Sequence, residues 1–281
     1  MDIASSAHSN TYSSSTQSNM QSNIITLNRE RQERPGACQS CAKVAHCPAS
    51  GRPDAAGVAG QPMQRVMKAG KAVFEAGSKF EGIYVARSGF FKSYTIDAEG
   101  AMQVTGFYLP GEFFGMDGIE DGTHKEYVEA LDTSSVCRVP LEALCGESVG
   151  TEGQDATQRA WSAHMMLGLV KLMGRTISRD HDMFFALGKM TAKGRLGAFL
   201  ADLSRRMALG GFSATEFRLC MSRTDIANYL CLALETVSRL FTQLQLEGAL
   251  EVDRRNLRIK NLHTLLHDDT LPQAPLRRQA G

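Results

Sequence analysis

The pattern of residues 217–262 restricts the fold of this chain more than any other stretch does. Ser222 and Asp225 stand three residues apart, a box-like spacing that opens a helix. The run 225–230 predicts a short first helix, and residues 231–234 predict the turn that follows it. Two short helices joined in this way are typical of a helix-turn-helix motif.

The residues after this turn complete the motif. A second helix is predicted over residues 235–247, and Gly248 ends it, because glycine readily adopts the backbone conformation of a helix C-terminus. The alternating runs 249–252 and 257–259 surround a polar turn and predict a two-stranded wing. The sequence therefore predicts a winged helix-turn-helix domain over residues 189–266.

Three side chains of the second helix share one face at three- and four-residue spacing, namely Glu235, Ser238 and Arg239. In a major groove, Arg can donate to guanine and Glu can accept from the amine of cytosine. The alternative is a Glu–Arg surface pair that stabilises the helix by a few tenths of a kcal/mol. Contacts with DNA phosphates, which add affinity but little sequence information, are predicted for Ser222, Arg223, Thr224, Arg254, Arg255 and Arg258.

The length and the charge distribution fit two domains with different partners. The chain has 281 residues, which is long for one ordinary domain. Residues 63–158 carry 8 basic and 15 acidic side chains, whereas residues 191–281 carry 13 basic and 9 acidic ones. The basic end is therefore expected to contact a polyanion, and double-stranded DNA is the expected partner.

The sequence gives no sign of a membrane or secretory segment. No stretch approaches the ~18 uninterrupted apolar residues of a membrane helix. The first 23 residues are rich in Ser, Asn and Gln and lack an apolar centre. We therefore expect a cytoplasmic protein without a membrane partner. Residues 1–33 predict a disordered polar tail, and residues 267–281 predict a flexible tail.

Glycine interrupts short apolar or alternating runs between residues 63 and 157, for example 83–86 and 102–108. Short strands separated by frequent turn signals predict an antiparallel β-roll, or jelly roll. Because helices follow this segment, the predicted fold class is α+β.

A long helix is predicted over residues 158–188, where proline is absent and apolar side chains recur every seven positions. One row holds Met166, Met173, Asp180 and Leu187; a second holds Leu169, Thr176 and Met183, flanked by Val170, Ile177 and Phe184. Two such rows form a coiled-coil seam. Nothing else in the chain matches this seam, so we expect a homodimer; the alternative is a helix packed on its own domain.

Asp180 is the charged member of this seam. In a two-fold dimer it would face its symmetry mate, and two carboxylates at close range repel each other and lose hydration. Our hypothesis is that the dimer is marginal, so that a second input decides whether it forms. The alternative is that Asp180 turns to solvent or pairs with Arg179 or Lys189.

Residues 34–62 form a segment without periodic pattern that contains Cys38-x2-Cys41-x5-Cys47. In a cytoplasmic chain, such a cluster favours metal or redox chemistry over structural disulfides. Three thiolates can hold one face of an iron–sulfur cluster or of a zinc site, and each of these requires four ligands. The candidates for the fourth ligand are His46, Cys137, Cys145, Cys220 and Cys231.

Taken together, these segments resemble the CRP/FNR family of transcription regulators, and most closely its oxygen-sensing FNR-type branch. The resemblance covers residues 34–266. The stretches that carry it are Cys38-x2-Cys41-x5-Cys47, residues 129–137 ending in Cys137, Ile177-x2-Asp180-x-Asp182-Met183, residues 216–219, and Glu235-Thr236-Val237-Ser238-Arg239.

This resemblance implies a specific site and mechanism. It implies that Cys38, Cys41, Cys47 and Cys137 hold a [4Fe–4S] cluster, and that Glu235, Ser238 and Arg239 read a two-fold site of the TTGAT…ATCAA kind. RNA polymerase is a further implied partner. The region around Ile177 and Asp180 becomes the implied dimer switch, whose seam residues are Met166, Met173, Ile177, Asp180, Met183, Phe184 and Leu187.

The sequence departs from the family in two places. The stretch 123–127 lacks the Arg that grips the phosphate in the cyclic-nucleotide branch, and Glu126 stands nearby, which argues against cyclic AMP as the effector. His46 precedes Cys47 where familiar members carry an aliphatic residue, and a polar neighbour could change how readily oxygen reaches a cluster.

Three other functions provide alternatives. A regulator of the same fold could respond to a small effector, or zinc could stabilise an oxygen-indifferent DNA-binding protein. An enzyme or electron carrier that uses Cys38 and Cys41 would need a substrate pocket or a thioredoxin-like unit, and neither is evident. The chain is therefore predicted not to be an enzyme.

Overall fold

Two facing β-sheets, one long helix and a helical C-terminal domain make up the computed structural model, which describes residues 34–35, 63–140 and 156–266. The strands are β1 (Arg34–Pro35), β2 (Met63–Met67), β3 (Ala72–Phe74), β4 (Ile83–Ser88), β5 (Phe91–Ile96), β6 (Met102–Tyr108), β7 (Phe113–Phe114), β8 (Tyr127–Ala130), β9 (Ser134–Val139), β10 (Glu216–Arg218), β11 (Leu250–Asp253) and β12 (Asn256–Ile259). The helices are α1 (Ala156–Lys189), α2 (Ala192–Leu209), α3 (Arg223–Tyr229), α4 (Leu234–Leu246) and α5 (Leu262–Leu266). The two predicted tails lie outside the described residues.

The predicted β-roll is confirmed. One antiparallel sheet has the order β1-β2-β9-β4-β7 and the other has the order β3-β8-β5-β6. Aromatic side chains, among them Tyr84, Phe91 and Phe114, fill the space between the sheets. Gly89 lies between β4 and β5 with a φ of 76°, and a Cβ there would come within 2.0 Å of the Ser134 hydroxyl. The turn therefore requires glycine.

Helix α1 packs against the outer face of the first sheet. Leu169 is only 8% exposed and lies among Ile83, Val85, Phe113 and Val139. Leu172 packs against the same cluster. Further along the helix, Met183 packs against the core of the C-terminal domain. The long helix predicted from the sequence is present and slightly longer than expected.

One part of the predicted seam needs correction. The row that contains Leu169 and Met183 faces its own chain, although the sequence pattern predicts it as half of the dimer seam. The apolar row left exposed contains Val170, Ile177 and Phe184, and Phe184 is 80% exposed. The heptad pattern identifies both rows as apolar, but it cannot tell which one the β-roll covers.

The C-terminal domain has the predicted winged helix-turn-helix arrangement. Ser222 caps α3 with a complete capping box, in which its hydroxyl accepts from the Asp225 backbone and the Asp225 carboxylate accepts from the Ser222 backbone. The wing differs from the prediction, because β10 pairs with β12 and makes the sheet three-stranded. Phe217 is the buried residue of this additional strand, which explains why three residues suffice to join it to the sheet.

The β-roll and the C-terminal domain share one hydrophobic core. Val104, Phe107 and Leu109 of the β-roll lie in the same cluster as Phe199 and Leu200 of α2. The two domains therefore pack directly against each other. No helix in the described part of the chain is long and apolar enough to cross a membrane.

Candidate functional site

The three predicted base-reading residues all lie on the exposed face of α4. Glu235, Ser238 and Arg239 are exposed, and the Ser238 hydroxyl donates to the Leu234 carbonyl at 2.9 Å. The opposite face of the helix is buried through Val237, Leu240, Phe241 and Leu244. The core therefore fixes the helix, while the side chains that could reach base edges remain available.

The predicted phosphate contacts at the start of α3 differ in their surroundings. Ser222 and Thr224 are exposed. The Arg223 guanidinium lies over the ring of Phe241, with its carbon 3.1 Å from the ring centroid. Burial lowers the pKa of Arg223 to about 10, and its Nη1 is buried without a hydrogen-bond partner among the described residues. Because this nitrogen is buried, a DNA phosphate could accept from it only after the side chain moves.

The three arginines of the wing also differ in their surroundings. Arg254 has a positive φ of 54° at the tip of the wing, and both it and Arg255 are exposed. Arg258 instead lies on β12, 3.2 Å from a Glu216 carboxylate oxygen and 4.0 Å from one of Glu251. These exposed carboxylates would therefore compete with a phosphate for the Arg258 guanidinium.

The candidate ligand Cys137 lies in β9, in the interior of the first sheet. Its register partners are Gln64 on β2 and Val85 on β4. On β1, Arg34 pairs with Gln64, and Pro35 pairs with Met63. The residues on both sides of the segment 36–62 therefore lie at β2, the strand that neighbours Cys137: β1 pairs with β2, and β2 begins at Met63. Cys38, Cys41, Cys47, His46 and Cys145 lie outside the described residues.

The other described cysteines are poorer candidates for a metal ligand. The Cys220 thiol is buried and 3.5 Å from an Asp132 carboxylate oxygen. Burial, together with this carboxylate, raises the pKa of the Cys220 thiol to about 12, which disfavours the thiolate that metals bind. Cys231 is exposed in the turn between α3 and α4. The described residues contain no group of three or more His, Cys, Asp and Glu that could hold a metal by themselves.

Two carboxylates, those of Asp117 and Glu126, lie at the stretch 123–127, which lacks the phosphate-gripping Arg of the cyclic-nucleotide branch. Asp117 accepts from the backbone N–H groups of Lys125 and Glu126, at 2.7 and 3.1 Å, and from the ring of His124. Burial alone would raise the pKa of Asp117, but these hydrogen bonds hold it below its usual value. Burial raises the pKa of Glu126. A charged Asp117 would repel the phosphate of a cyclic nucleotide.

Five of the seven predicted dimer-switch residues form an exposed strip along α1. Met166, Met173 and Ile177 are exposed, as is Phe184. Asp180 is exposed on the same strip, and partial burial raises the pKa of its carboxyl although Arg179 and His181 act in the opposite direction. Leu187 is half-buried, and Met183 is the member that packs inward.

Charged contacts join the two domains, and the sequence pattern does not predict them. Lys92 of β5 is buried and pairs with Asp225 of α3 at 2.7 Å. Arg206 of α2 forms a bidentate pair with Glu112 at 2.8 and 2.5 Å. These partners are far apart in the sequence, and in the sequence alone Asp225 looks only like a helix cap.

A β-roll joined through a long helix to an exposed, core-supported recognition helix defines a DNA-binding transcription regulator. Residues 64–145 match the family of the cyclic nucleotide-binding domain, and residues 194–267 match the Crp-like helix-turn-helix domain. The chain belongs to the Crp/FNR family of transcription regulators. Its relatives are regulators and not enzymes, in agreement with the sequence prediction.

Two relatives show how close the similarity is. The chain is 40% identical to the fumarate and nitrate reduction regulatory protein of Salmonella typhi over 205 residues, which is 73% of this chain and 76% of that protein. It is also 40% identical to the protein of that name from Escherichia coli (strain K12) over 201 residues, 72% of this chain and 74% of the relative.

Solved structures agree with the fold. FixK2 from Bradyrhizobium japonicum has a TM-score of 0.56 and 28% identity, and the match covers 73% of this chain and 95% of FixK2. The c-di-GMP responsive global regulator CLP from Xanthomonas campestris has a TM-score of 0.54 and 17% identity, with 70% and 93% of the two chains covered. The second similarity shows the fold alone.

Proposed function

We propose that this chain is an oxygen-responsive transcription regulator, in which a [4Fe–4S] cluster held by Cys38, Cys41, Cys47 and Cys137 promotes homodimerisation and DNA binding under low oxygen. The similarity to fumarate and nitrate reduction regulators supports this function. The dimer would bind a two-fold site of the TTGAT…ATCAA kind and would act with RNA polymerase.

The observation that carries the proposal is the attachment of the three-cysteine segment beside Cys137. Arg34, Gln64 and Cys137 are register partners on three neighbouring strands. Adjacent strands lie about 4.8 Å apart, so the backbones of Arg34 and Cys137 are about 10 Å apart. Cys38 follows Pro35 by three residues, and an extended chain spans up to about 3.5 Å per residue. Cys38 can therefore reach the surroundings of Cys137.

The donor chemistry also fits an iron–sulfur cluster. Four cysteine thiolates are the usual ligand set of a [4Fe–4S] cluster. Cys137 is half-buried, so the residue is partly exposed at the surface of the β-roll. When bound, such a cluster would supply an oxygen-labile inorganic centre beside β9 of the β-roll.

The same part of the sheet contacts the dimer helix. Cys137 and Leu172 both pack against the apolar cluster that contains Leu169. A change in the segment attached beside Cys137 would therefore alter the surface on which α1 rests. This contact provides a route from the proposed cluster site to the helix that carries the dimer seam.

Asp180 would make the dimer conditional. It lies on the exposed apolar strip between Ile177 and Phe184. In a two-fold dimer its carboxylate would approach its symmetry mate, and the repulsion would oppose association. Packing of α1 in the cluster-bound state would offset this repulsion. A shift of ~3 kcal/mol in the dimerisation free energy changes the equilibrium more than a hundredfold.

Dimerisation would bring two copies of α4 to neighbouring half-sites. Recognition helices of a two-fold dimer read half-sites about 34 Å apart, one turn of DNA. Glu235, Ser238 and Arg239 would contact bases, and Ser222, Arg223, Thr224, Arg254, Arg255 and Arg258 would contact phosphates. Loss of the dimer would leave each copy with a single half-site and a much lower affinity.

Cys137→Ala tests the proposal directly in protein purified without oxygen. The variant should lose bound iron, dimerisation and high-affinity DNA binding. Cys231→Ala is the matched control, because this thiol is exposed in the helix-turn-helix turn, and it should retain iron. If Cys137→Ala keeps its iron and its DNA affinity, the assignment of this ligand is wrong. A colourless zinc-containing protein, or dependence on a small effector without metal, would favour the alternative functions.

A further inference from the structure

We propose that Lys92 is a positioning residue for DNA binding: through Asp225 it fixes the direction of the recognition helix relative to the β-roll. Lys92 lies in β5, whereas Asp225 lies at the start of α3 in the other domain. The inference rests on the homodimer of the proposed function, because only a dimer requires two recognition helices in a fixed relative orientation. It requires the dimer, by whatever means the dimer forms, and assigns no role to the cluster itself.

Lys92 is enclosed by two carboxylates from different domains. Its Nζ is 2.7 Å from Asp225 Oδ1 and 3.1 Å from Glu129 Oε1, and the residue is 8% exposed. Glu129 lies in β8, next to β5 in the same sheet. The ammonium group therefore neutralises a carboxylate of its own sheet while it holds one from the DNA-binding domain.

Asp225 transmits this contact to the helix-turn-helix motif. Its other carboxylate oxygen accepts from the Ser222 backbone at 2.9 Å and from the Ser222 hydroxyl at 2.6 Å. The same side chain thus closes the N-terminal cap of α3 and binds the β-roll. Helix α3 in turn packs on α4, since Ile226, Leu230, Val237 and Leu240 lie in one core cluster.

A second contact prevents α3 from rotating about this ion pair. Asn228 Oδ1 accepts from the Val104 backbone N–H, and its Nδ2 donates to the Met102 carbonyl at 2.6 Å. These backbone groups lie on β6, the edge strand of the second sheet. Helix α3 is therefore held at its start by Lys92 and near its end by a strand edge, and two separated contacts define a direction.

Helix α2 is attached to the β-roll independently. Arg206 pairs with Glu112 and also donates to the Phe107 carbonyl at 2.5 Å. The ring of Phe107 contacts Phe199 of α2 and Tyr229 at the end of α3, and the three ring centroids are 5.2–5.8 Å apart. The domain would therefore stay docked without Lys92, and α3, then held only near its end by Asn228 and Tyr229, would become looser in its orientation.

The docked arrangement is compatible with DNA binding. With all of these contacts formed, Glu235, Ser238 and Arg239 remain exposed, and so does the wing tip with Arg254 and Arg255. The contact therefore leaves the predicted reading surface uncovered.

The test compares Lys92→Met with Glu129→Gln in dimeric protein. Lys92→Met leaves two carboxylates facing each other across the domain boundary, whereas Glu129→Gln removes only the partner within the sheet. Binding is measured with the two-fold duplex that the unsubstituted protein prefers and with a duplex that carries one half-site. Sedimentation of the same samples reports the dimer, so that failure of the dimer is distinguished from failure of this inference.

Lys92→Met should raise the Kd for the two-fold duplex at least tenfold and should change the Kd for the half-site duplex less than twofold. Glu129→Gln should change neither Kd more than twofold. Equal losses on both duplexes would show that Lys92 only supports folding of the DNA-binding domain. Unchanged binding to the two-fold duplex would also overturn the inference. Tighter binding would overturn it as well, because the contact between Lys92 and Asp225 would then hold the domain in an arrangement that opposes DNA binding.

Discussion

Cys137 of β9 and Leu172 of α1 pack against the same apolar cluster on the outer face of the β-roll. The candidate cluster ligand and the dimer helix therefore share one surface. In the proposed mechanism, a structural change at this cysteine would reach the helix through this shared cluster.

Replacing Asp180 by Ala should strengthen the dimer in air. Removal of the carboxylate abolishes the repulsion between symmetry-related copies, and a gain of about 1.4 kcal/mol tightens association tenfold. Analytical ultracentrifugation over a concentration series measures the equilibrium. Asp182→Ala is the control, because this exposed acid lies off the apolar strip. Unchanged dimerisation in Asp180→Ala would show that the carboxylate does not oppose association.

Replacing Arg239 by Ala should cost ~1–3 kcal/mol of DNA-binding free energy and should relax the preference at one base pair. Arg239 is exposed on the reading face of α4. Fluorescence anisotropy with a set of single-base variants of the duplex measures both effects. Arg255→Ala, at the wing tip, should lower affinity evenly across the set. An even loss in Arg239→Ala would assign this residue to phosphate contact.

The Lys92–Asp225 pair should make the stability of the protein depend on pH at the acidic end. Burial alone would raise the pKa of Asp225, but hydrogen bonds from Lys92 and Ser222 hold it below its usual value. The stabilising contribution of Asp225 is therefore present above its unfolded pKa and is lost as the pH falls through its folded pKa.

Urea unfolding of the unsubstituted protein and of Asp225→Asn checks this dependence. The Asn variant should be less stable by about 1–3 kcal/mol at pH 7, since a hydrogen bond to a charged group has this magnitude. The difference should shrink as the pH is lowered from 5 to 3. A difference that stays constant over this range would mean that the charge of Asp225 makes no contribution.

Cys231 should be a site where glycine increases stability. Its φ of 53° lies in the left-handed region, which costs a residue with a Cβ about 1–2 kcal/mol. Cys231→Gly should therefore raise the free energy of unfolding by about 1 kcal/mol, because part of this gain is offset by the entropy of glycine. Thermal unfolding measures the change. Cys231→Ala, which keeps the Cβ, should give no comparable increase.

The sequence predicts the elements of this fold well wherever the local signal is strong. Glycine punctuation indicates the β-roll, and the Ser222–Asp225 spacing indicates the start of the helix-turn-helix, which the capping box confirms. The sequence analysis does not identify helix α2 or strand β10 as a separate element. For β10, the three residues around Phe217 are too few to show a strand pattern.

The candidate sites could be predicted only in part. Exposure of Glu235, Ser238 and Arg239 follows from their shared helix face. The contact between Lys92 and Asp225 could not be predicted, because it joins residues 133 positions apart and depends on how two domains dock. Likewise, periodicity identified the apolar rows of α1 but could not show that Leu169 packs on the β-roll while Phe184 stays exposed.

Purification without oxygen, followed by controlled exposure to air, tests the central claim most directly. The same sample is measured for absorption, iron, sulfide and DNA affinity before and after exposure. We predict a brown protein with about four iron and four sulfide ions per chain that binds its duplex tightly and loses both the colour and the affinity in air. Protein that contains no iron when prepared without oxygen, or that binds DNA equally well after exposure, would contradict the account.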